Sequence, residues 1–286
     1  MEQLKRIAAV HDISGLGKCS LTVALPVISA SGVECSCLPT ALLSTHTGEF
    51  TDFTFRDLSD ELLAIAKHWH STGAVFDGIY SGYLASAGQV ALLETVIDTL
   101  ASEHTKIIVD PVMADNGKYY SKLGDSMCHA FRRLCGRADI ITPNVTEATL
   151  LAGMDYHPGP HSEEFLLELF ARLSDITNGI IAVTGVMPDA EHVGVSAFDA
   201  RSGKRSSSYR DNAPGVFYGT GDIFASAFSA LTVRGVSMEK ALDTAVSLVG
   251  SSIARTVENS SPRRFGVDFE GALPDYIQAV SHLLGK

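Results

Sequence analysis

The sequence predicts a three-layer α/β/α fold built on a mainly parallel central sheet. Short β-branched runs alternate with amphipathic stretches, which is the rhythm of βαβ units. The runs are almost entirely apolar, as strands covered by helices on both faces require. Two alternating segments around Ser202-Gly203 then predict an antiparallel hairpin at the sheet edge. We expect a single domain over residues 1–286.

The same pattern gives each element in order. Buried strands are predicted at residues 7–10, 33–38, 78–80, 107–109, 140–142 and 180–183, and the hairpin at 193–198 and 205–210. Helices are predicted at 20–30, 58–70, 87–101, 124–134, 163–176, 221–234, 238–256 and 271–284. Pro26 lies inside the first of these helices and is expected to kink it.

Composition excludes several classes of protein. The net charge of −11 and the isoelectric point near 5.3 argue against nucleic acid as a partner. No run reaches the ~18 apolar residues of a membrane span, and the first ten residues lack the pattern of a signal peptide. Five cysteines without zinc-like spacing are typical of reduced, buried thiols. We therefore expect a cytoplasmic protein without a membrane partner.

Polar residues follow all six predicted strands. They are His11, Asp12 and Ser14; Thr45, His46 and Thr47; Ser81 and Tyr83; Asp110; Asn144 and Glu147; and Thr184. Ligands of such sheets bind at the carboxyl ends of the strands. The sequence therefore predicts a small-molecule site at this edge of the sheet.

The segment GVFYGTGDIFASAF, residues 215–228, predicts a helix that begins near residues 219–222. A helix N-terminus offers free N–H groups, and glycines let a ligand approach them closely. Gly219, Thr220 and Gly221 therefore predict an anion site, most naturally for phosphate. Asp222 would repel a phosphate, so we interpret it as a base beside one. The alternative is a glycine turn that Thr220 or Asp222 caps.

GLGKCS, residues 15–20, is similar to a P-loop but lacks the spacing of one, since Cys19 follows Lys18. We interpret it as a glycine-rich turn between a strand and a helix, which shapes a small-molecule pocket.

Two further motifs carry carboxylates. The first is DPVMADNGKYY, which begins with Asp110. This carboxylate could hold Mg²⁺ or simply fix the turn. The DNGK turn that follows predicts a mobile flap that carries Lys118. TPNVTEATLL opens a helix in which Asn144 and Glu147 have capping-box spacing. The same two residues could also face a metal–phosphate group, and the two interpretations are compatible.

In combination these motifs resemble the ribokinase-like superfamily of small-molecule kinases. Within this superfamily the chain is similar, over nearly its whole length, to the vitamin B6 kinases, pyridoxal kinase and its relatives. The motifs that carry this resemblance are LSTHTG, YSGY, DPVM, DIITPN and GTGD. DPVM and ITPN also occur in hydroxymethylpyrimidine kinases. The start of the chain departs from the pyridoxal kinase pattern, because Asp12-Ile13-Ser14-Gly15 resembles the Asp-Pro-Ser-Gly of hydroxymethylpyrimidine kinases. Those enzymes, however, commonly have cysteine where Asp222 stands.

The resemblance implies an ATP-dependent kinase that phosphorylates the hydroxymethyl group of a B6 vitamer. It implies that Asp222 is the catalytic base, that Gly219, Thr220 and Gly221 form the anion hole, and that Asp110 and Glu147 organise Mg²⁺. Asn144, Thr184 and Lys118 would contact ATP phosphates, and Asp12, Ser14, Thr47 and Tyr83 would face the vitamer. A homodimer is expected, and dependence on a monovalent cation is left open. The alternatives are a hydroxymethylpyrimidine kinase and a vitamer-binding protein without turnover, against which the acid at the anion hole argues.

Overall fold

Strands and helices alternate along the chain in the computed structural model, which describes residues 4–285. The first half contains β1 (Arg6–Ser14), α1 (Leu21–Ala30), β2 (Glu34–Leu43), β3 (Phe55–Asp57), α2 (Ser59–Ser71), β4 (Gly78–Ser81), α3 (Ala87–Leu100), β5 (Lys106–Val109), β6 (Ala114–Asp115), β7 (Lys118–Tyr119), α4 (Asp125–Cys135) and β8 (Ile140–Ile141). The second half contains α5 (Val145–Ala152), α6 (Glu163–Ser174), β9 (Ile180–Val186), β10 (His192–Asp199), β11 (Arg205–Asp211), α7 (Thr220–Val233), α8 (Met238–Glu258) and α9 (Leu273–Leu283), with 3-10 turns at Arg263–Phe265 and Glu270–Ala272.

The central sheet has nine strands in the order β11-β10-β9-β8-β5-β4-β1-β2-β3. The six strands from β9 to β2 in this order are parallel. β10 and β11 form the antiparallel hairpin at one edge, and β3 pairs antiparallel with β2 at the other. The predicted fold class is therefore confirmed.

Hydrophobic cores cover both faces of the sheet. Helices α2 to α6 pack on one face around large side chains such as Phe131, Leu93 and Leu169. Helices α1, α7, α8 and α9 pack on the other around Phe228, Ile28 and Leu242. With both faces covered by helices, a ligand reaches the sheet at the ends of its strands, and in folds of this kind the site lies at the carboxyl ends.

Some local predictions differ from the structure. β3 was not predicted, because its three residues are exposed and carry no burial pattern. β1 continues past Val10 to Ser14 through an irregularity between His11 and Ile13. The prediction of buried cysteines holds for Cys135, but the other four free cysteines are half-buried. Helix α1 continues through Pro26 to Ala30, and the kink expected at Pro26 stays a prediction.

Within residues 4–285, no helix combines the length and the apolarity needed to cross a bilayer.

Candidate active site

One cavity of about 1310 Å³ gathers nearly all the predicted site residues at the carboxyl ends of the strands. Its lining includes Asp12, Ser14, Thr47, Tyr83, Asp110, Asn144, Glu147, Thr184, Gly219, Thr220, Gly221 and Asp222. Lys118 is not part of the lining, because it lies exposed on β7, beyond the Asn116-Gly117 turn. A direct contact of Lys118 with phosphate thus stays a prediction that would need the β6–β7 hairpin to move.

The N-terminus of α7 opens into this cavity. Gly219 precedes it with a φ of 81°, and a Cβ at this position would lie 2.0 Å from the carbonyl oxygen of Lys18. Only glycine fits both constraints, so the GTGD turn packs directly against the loop after β1. No side chain of the described residues caps this helix, and a Cβ at Gly221 would meet nothing within 4 Å. The first N–H groups of α7 are therefore available to an anion.

Asp222 lies at this helix start, half-buried, and its Oδ2 accepts a hydrogen bond of 2.9 Å from the backbone N–H of Ser20. Burial raises the pKa of Asp222 to about 7, and the charge of Asp12 adds to the effect. The Ser20 N–H opposes both by stabilising the ionised form. A carboxyl with a pKa near 7 can accept a proton at neutral pH and release it again.

Asp110 and Glu147 are both buried and line the same cavity. Burial, followed by the charges of Glu147 and Asp222, raises the pKa of Asp110 well above its usual range. Burial also raises the pKa of Glu147, to about 8. Carboxyls that disfavour one another's ionisation in this way would be stabilised as anions by a cation between them.

Glu147 also has the structural role that its spacing predicted. Its Oε2 accepts from the N–H of Asn144 at 2.9 Å, and its Oε1 accepts from the N–H of Met113 at 3.0 Å. The Asn144 Oδ1 accepts from the Glu147 N–H at 2.9 Å, which completes the capping box of α5. The Asn144 amide nitrogen donates to the carbonyl of Ala114. Glu147 thereby ties the segment after Asp110 to the start of α5.

The donor set of Asp110 and Glu147 fits magnesium better than zinc. No group of three or more His, Cys, Asp or Glu residues within the described part of the chain is arranged to hold a metal alone. Mg²⁺ typically uses one or two carboxylates together with waters and substrate phosphates. Asp110 and Glu147 offer that partial set.

Asp12 also lines the cavity and is connected to Asp222 through Ser20. The Asp12 carboxylate is buried and accepts two hydroxyl hydrogen bonds, from Ser14 at 3.0 Å and from Ser20 at 2.5 Å. Burial raises its pKa in spite of these bonds. Tyr83 lies half-buried near it, and burial together with the charge of Asp12 raises the pKa of the phenol. Thr47 is exposed at the mouth of the cavity.

His46 is buried in the loop after β2 and also lines the cavity. Its Nδ1 accepts from the N–H of Gly48 at 3.0 Å, so its Nε2 carries the proton and donates to the carbonyl of Arg264 at 2.6 Å. With both ring nitrogens engaged, His46 fixes the loop that carries Thr47.

Sequence reasoning missed a slot that extends the cavity between the edge hairpin and α8. Its lining includes Val193 and Val195 on β10, Tyr209 on β11, and Val249 and Ile253 on α8. The same strands also contribute His192, Arg210 and Asp211 to the cavity lining, but these residues form no recognisable motif, so no local signal in the sequence marks the slot. A planar apolar ring fits such a slot between a strand pair and a helix.

Comparison with known proteins connects this geometry to a family. The family model described as phosphomethylpyrimidine kinase matches residues 25–263, which is most of the chain. The chain belongs to that family. It is a kinase with the ribokinase-like fold, as the combination of motifs in the sequence predicted.

Three relatives of this kinase are informative. A Bacteroides thetaiotaomicron protein, provisionally called a phosphomethylpyrimidine kinase and crystallised with pyridoxal, is 34% identical, with a TM-score of 0.90 and 96% of each chain covered. The pyridoxal kinase of Lactobacillus plantarum is 30% identical, with a TM-score of 0.87 over 98% of this chain and 99% of that chain. The hydroxymethylpyrimidine/phosphomethylpyrimidine kinase of Bacillus subtilis is 27% identical over 63% of this chain and 65% of its own. The predicted resemblance to the pyridoxal kinase family is confirmed.

Proposed function

We propose that this kinase transfers the γ-phosphoryl group of ATP to the hydroxymethyl oxygen of a B6 vitamer. The observation that carries the proposal is the place of Asp222 in the cavity. It lies in the first turn of α7, whose N-terminus is capped by no side chain of the described residues, and it shares the cavity with Asp12, Asp110 and Glu147. A base, an anion-binding helix start and a site for a cation in one cavity are the parts that phosphoryl transfer requires.

The vitamer would bind at the Asp12 end. The hydroxyls of Ser14 and Ser20 hold the Asp12 carboxylate in place, and its remaining lone pairs can accept from a protonated ring nitrogen or an aminomethyl cation. Tyr83 and Thr47 would contact the ring from the cavity wall. A charged acceptor favours a cationic substrate, so we expect pyridoxamine to be a good one. The pyridoxal in the Bacteroides relative supports this class of substrate.

ATP would occupy the rest of the cavity. Its adenine would pack against the apolar residues of the slot between β10–β11 and α8, and its phosphates would lie near Thr184 and the start of α7. Asp110 and Glu147 are the residues that would hold Mg²⁺ beside them. Bound there, the ion would neutralise charge on the phosphate oxygens.

The residues of this chain then act on the hydroxymethyl group as follows. The Asp222 carboxylate accepts the hydroxyl proton as the oxygen attacks the γ-phosphorus, and the bond to the β-phosphate oxygen breaks to release ADP. The N–H groups of Thr220 and Gly221 donate to the negative charge on the transferring group. Gly219 makes this arrangement possible because it lets the turn pack against Lys18.

Hydroxymethylpyrimidine is the second candidate substrate. It is favoured by the name of the family model and by the Asp12-Ile13-Ser14-Gly15 run, which resembles that of hydroxymethylpyrimidine kinases. The reaction and the catalytic residues would be the same, and the difference would lie at the Asp12 end of the cavity.

Analysis of the products tests the proposal. Purified protein with Mg²⁺, ATP and pyridoxine should release ADP and vitamer 5′-phosphate in equal amounts, as measured by mass spectrometry and ³¹P NMR. Asp222→Asn is the matched control and should form neither product above a small residue. ADP release without a phosphorylated vitamer, or vitamer binding without turnover, would contradict the proposal.

A further inference from the structure

Ser20 contacts both carboxylates on which the proposed function depends. Its hydroxyl donates to Asp12 Oδ1 at 2.5 Å, and its backbone N–H donates to Asp222 Oδ2 at 2.9 Å. Ser20 is itself buried. One residue of the loop after β1 therefore joins the substrate end of the cavity to the base.

The backbone of Ser20 is strained. Its φ of 56° and ψ of −132° lie in a region that glycine adopts easily and that residues with a side chain rarely adopt. Such a conformation persists only where surrounding contacts hold it. The hydroxyl bond to Asp12 is a contact of this kind, since it is short, buried and made to a carboxylate.

The chain is held in place on both sides of Ser20, so the loop cannot shift as a whole. On one side, the N–H of Lys18 bonds to the carbonyl of Phe265 at 3.0 Å, and its own carbonyl lies against Gly219. On the other side, the Ser20 carbonyl accepts from the N–H groups of Val23 and Ala24 at the start of α1. Rotation of the backbone at Ser20 is therefore the way in which its N–H could turn away from Asp222.

We propose that Ser20 is a positioning residue whose hydroxyl bond to Asp12 holds a strained backbone, so that its N–H orients the carboxylate of Asp222. The role of Asp222 as the base rests on the proposed function, but the hydrogen-bonded unit of three residues does not. In this unit the carboxylate that faces the substrate also fixes the direction of the base.

Two substitutions at Ser20 separate the hydroxyl from the strain. Ser20→Ala removes the hydroxyl and keeps the unfavourable φ, so the backbone should relax and the N–H should leave Asp222. Ser20→Gly removes the same hydroxyl but tolerates the φ, so the N–H should stay. Ser14→Ala is the matched control, because it removes the other hydroxyl bond to Asp12 without touching Asp222.

The amide proton shift of residue 20, measured by NMR with and without Asp222→Asn, reports the N–H bond without any turnover. Asp222→Asn should move this proton upfield in the wild type, in Ser20→Gly and in Ser14→Ala, but should have little effect in Ser20→Ala. Asp12→Ala removes the carboxylate that accepts the Ser20 hydroxyl bond, so it should behave like Ser20→Ala. This second variant keeps the test valid if Ser20→Ala does not fold. An amide of residue 20 that still senses Asp222 in either variant would overturn the proposal.

Kinetics give a second measurement. Ser20→Ala should lower kcat by roughly tenfold to a hundredfold, the effect of a lost hydrogen bond to a charged group, and Ser20→Gly should lower it less. Ser14→Ala should act mainly on KM. Equal losses of kcat in Ser20→Ala and Ser20→Gly would contradict the role of strain. A wild type that phosphorylates no vitamer would instead contradict the proposed function and leave the amide measurement to decide the role of Ser20.

Discussion

Glu147→Gln tests how far one carboxylate serves both the fold and the metal. The two oxygens of Glu147 accept separate backbone N–H bonds, from Asn144 at 2.9 Å and from Met113 at 3.0 Å. A glutamine has one acceptor oxygen, so its NH₂ group must face one of these N–H groups in a buried setting. A buried donor left without an acceptor costs about 2 kcal/mol. The melting temperature should therefore fall by about 4–8 °C for a chain of this size.

The assay combines a melting curve with a Mg²⁺ titration of turnover. If Glu147 also helps to hold the metal with Asp110, the variant should need more Mg²⁺ for half-maximal rate, beyond its loss of stability. Glu164→Gln, an exposed carboxylate in the first turn of α6, is the control and should change neither quantity. An unchanged melting temperature would refute the hydrogen-bond argument. A lowered melting temperature with wild-type Mg²⁺ dependence would leave Glu147 with the capping role alone.

Three further outcomes are expected. Asp222→Asn should lower turnover by ~10²–10⁴ and leave ATP binding intact. The rate of the wild-type enzyme should rise with pH through about 7 as Asp222 ionises. Near-normal turnover in the variant would exclude Asp222 as the base. In EDTA the melting temperature should fall as the pH rises from 5 to 8. Burial raises the pKa of Glu147 to about 8 and of Asp222 to about 7, so the folded protein keeps protons that the unfolded chain has released. A melting temperature that rises over that range would contradict this prediction. Asp12→Ser should lower kcat/KM about tenfold to a hundredfold for pyridoxamine and less for pyridoxal, whereas equal losses would mean that Asp12 only shapes the glycine turn.

Much of the fold could be predicted from the sequence because burial determines it. Parallel strands covered on both faces must be apolar, so β4, β5 and β9 stand out as short apolar runs. The edge hairpin could be predicted because apolar and polar residues alternate in the two segments around Ser202-Gly203, although the burial of β10 in the structure does not alternate. β3 has no such signal, since it pairs with β2 while all three of its residues are exposed.

The candidate site was predictable where the role of a residue depends only on its neighbours in the sequence. Gly219 and Asp222 mark a helix start, and Asn144 with Glu147 marks a capping box, whatever the rest of the chain does. Ser20 was not predictable, because its two bonds reach across 8 and 202 residues of sequence and its positive φ comes from tertiary contacts. The slot at Val193 and Ile253 was missed for the same reason, since its walls come from distant apolar segments.

The substrate preference of the wild-type protein is the most direct test of this account. One preparation should be assayed with Mg·ATP and pyridoxal, pyridoxine, pyridoxamine or hydroxymethylpyrimidine, and kcat/KM compared for the four. We expect a B6 vitamer to be the best substrate, with phosphate on its hydroxymethyl oxygen, because Asp12 provides a charged acceptor for a protonated ring nitrogen or amine in the cavity. A higher kcat/KM for hydroxymethylpyrimidine than for any vitamer, or no turnover of any of the four, would contradict it.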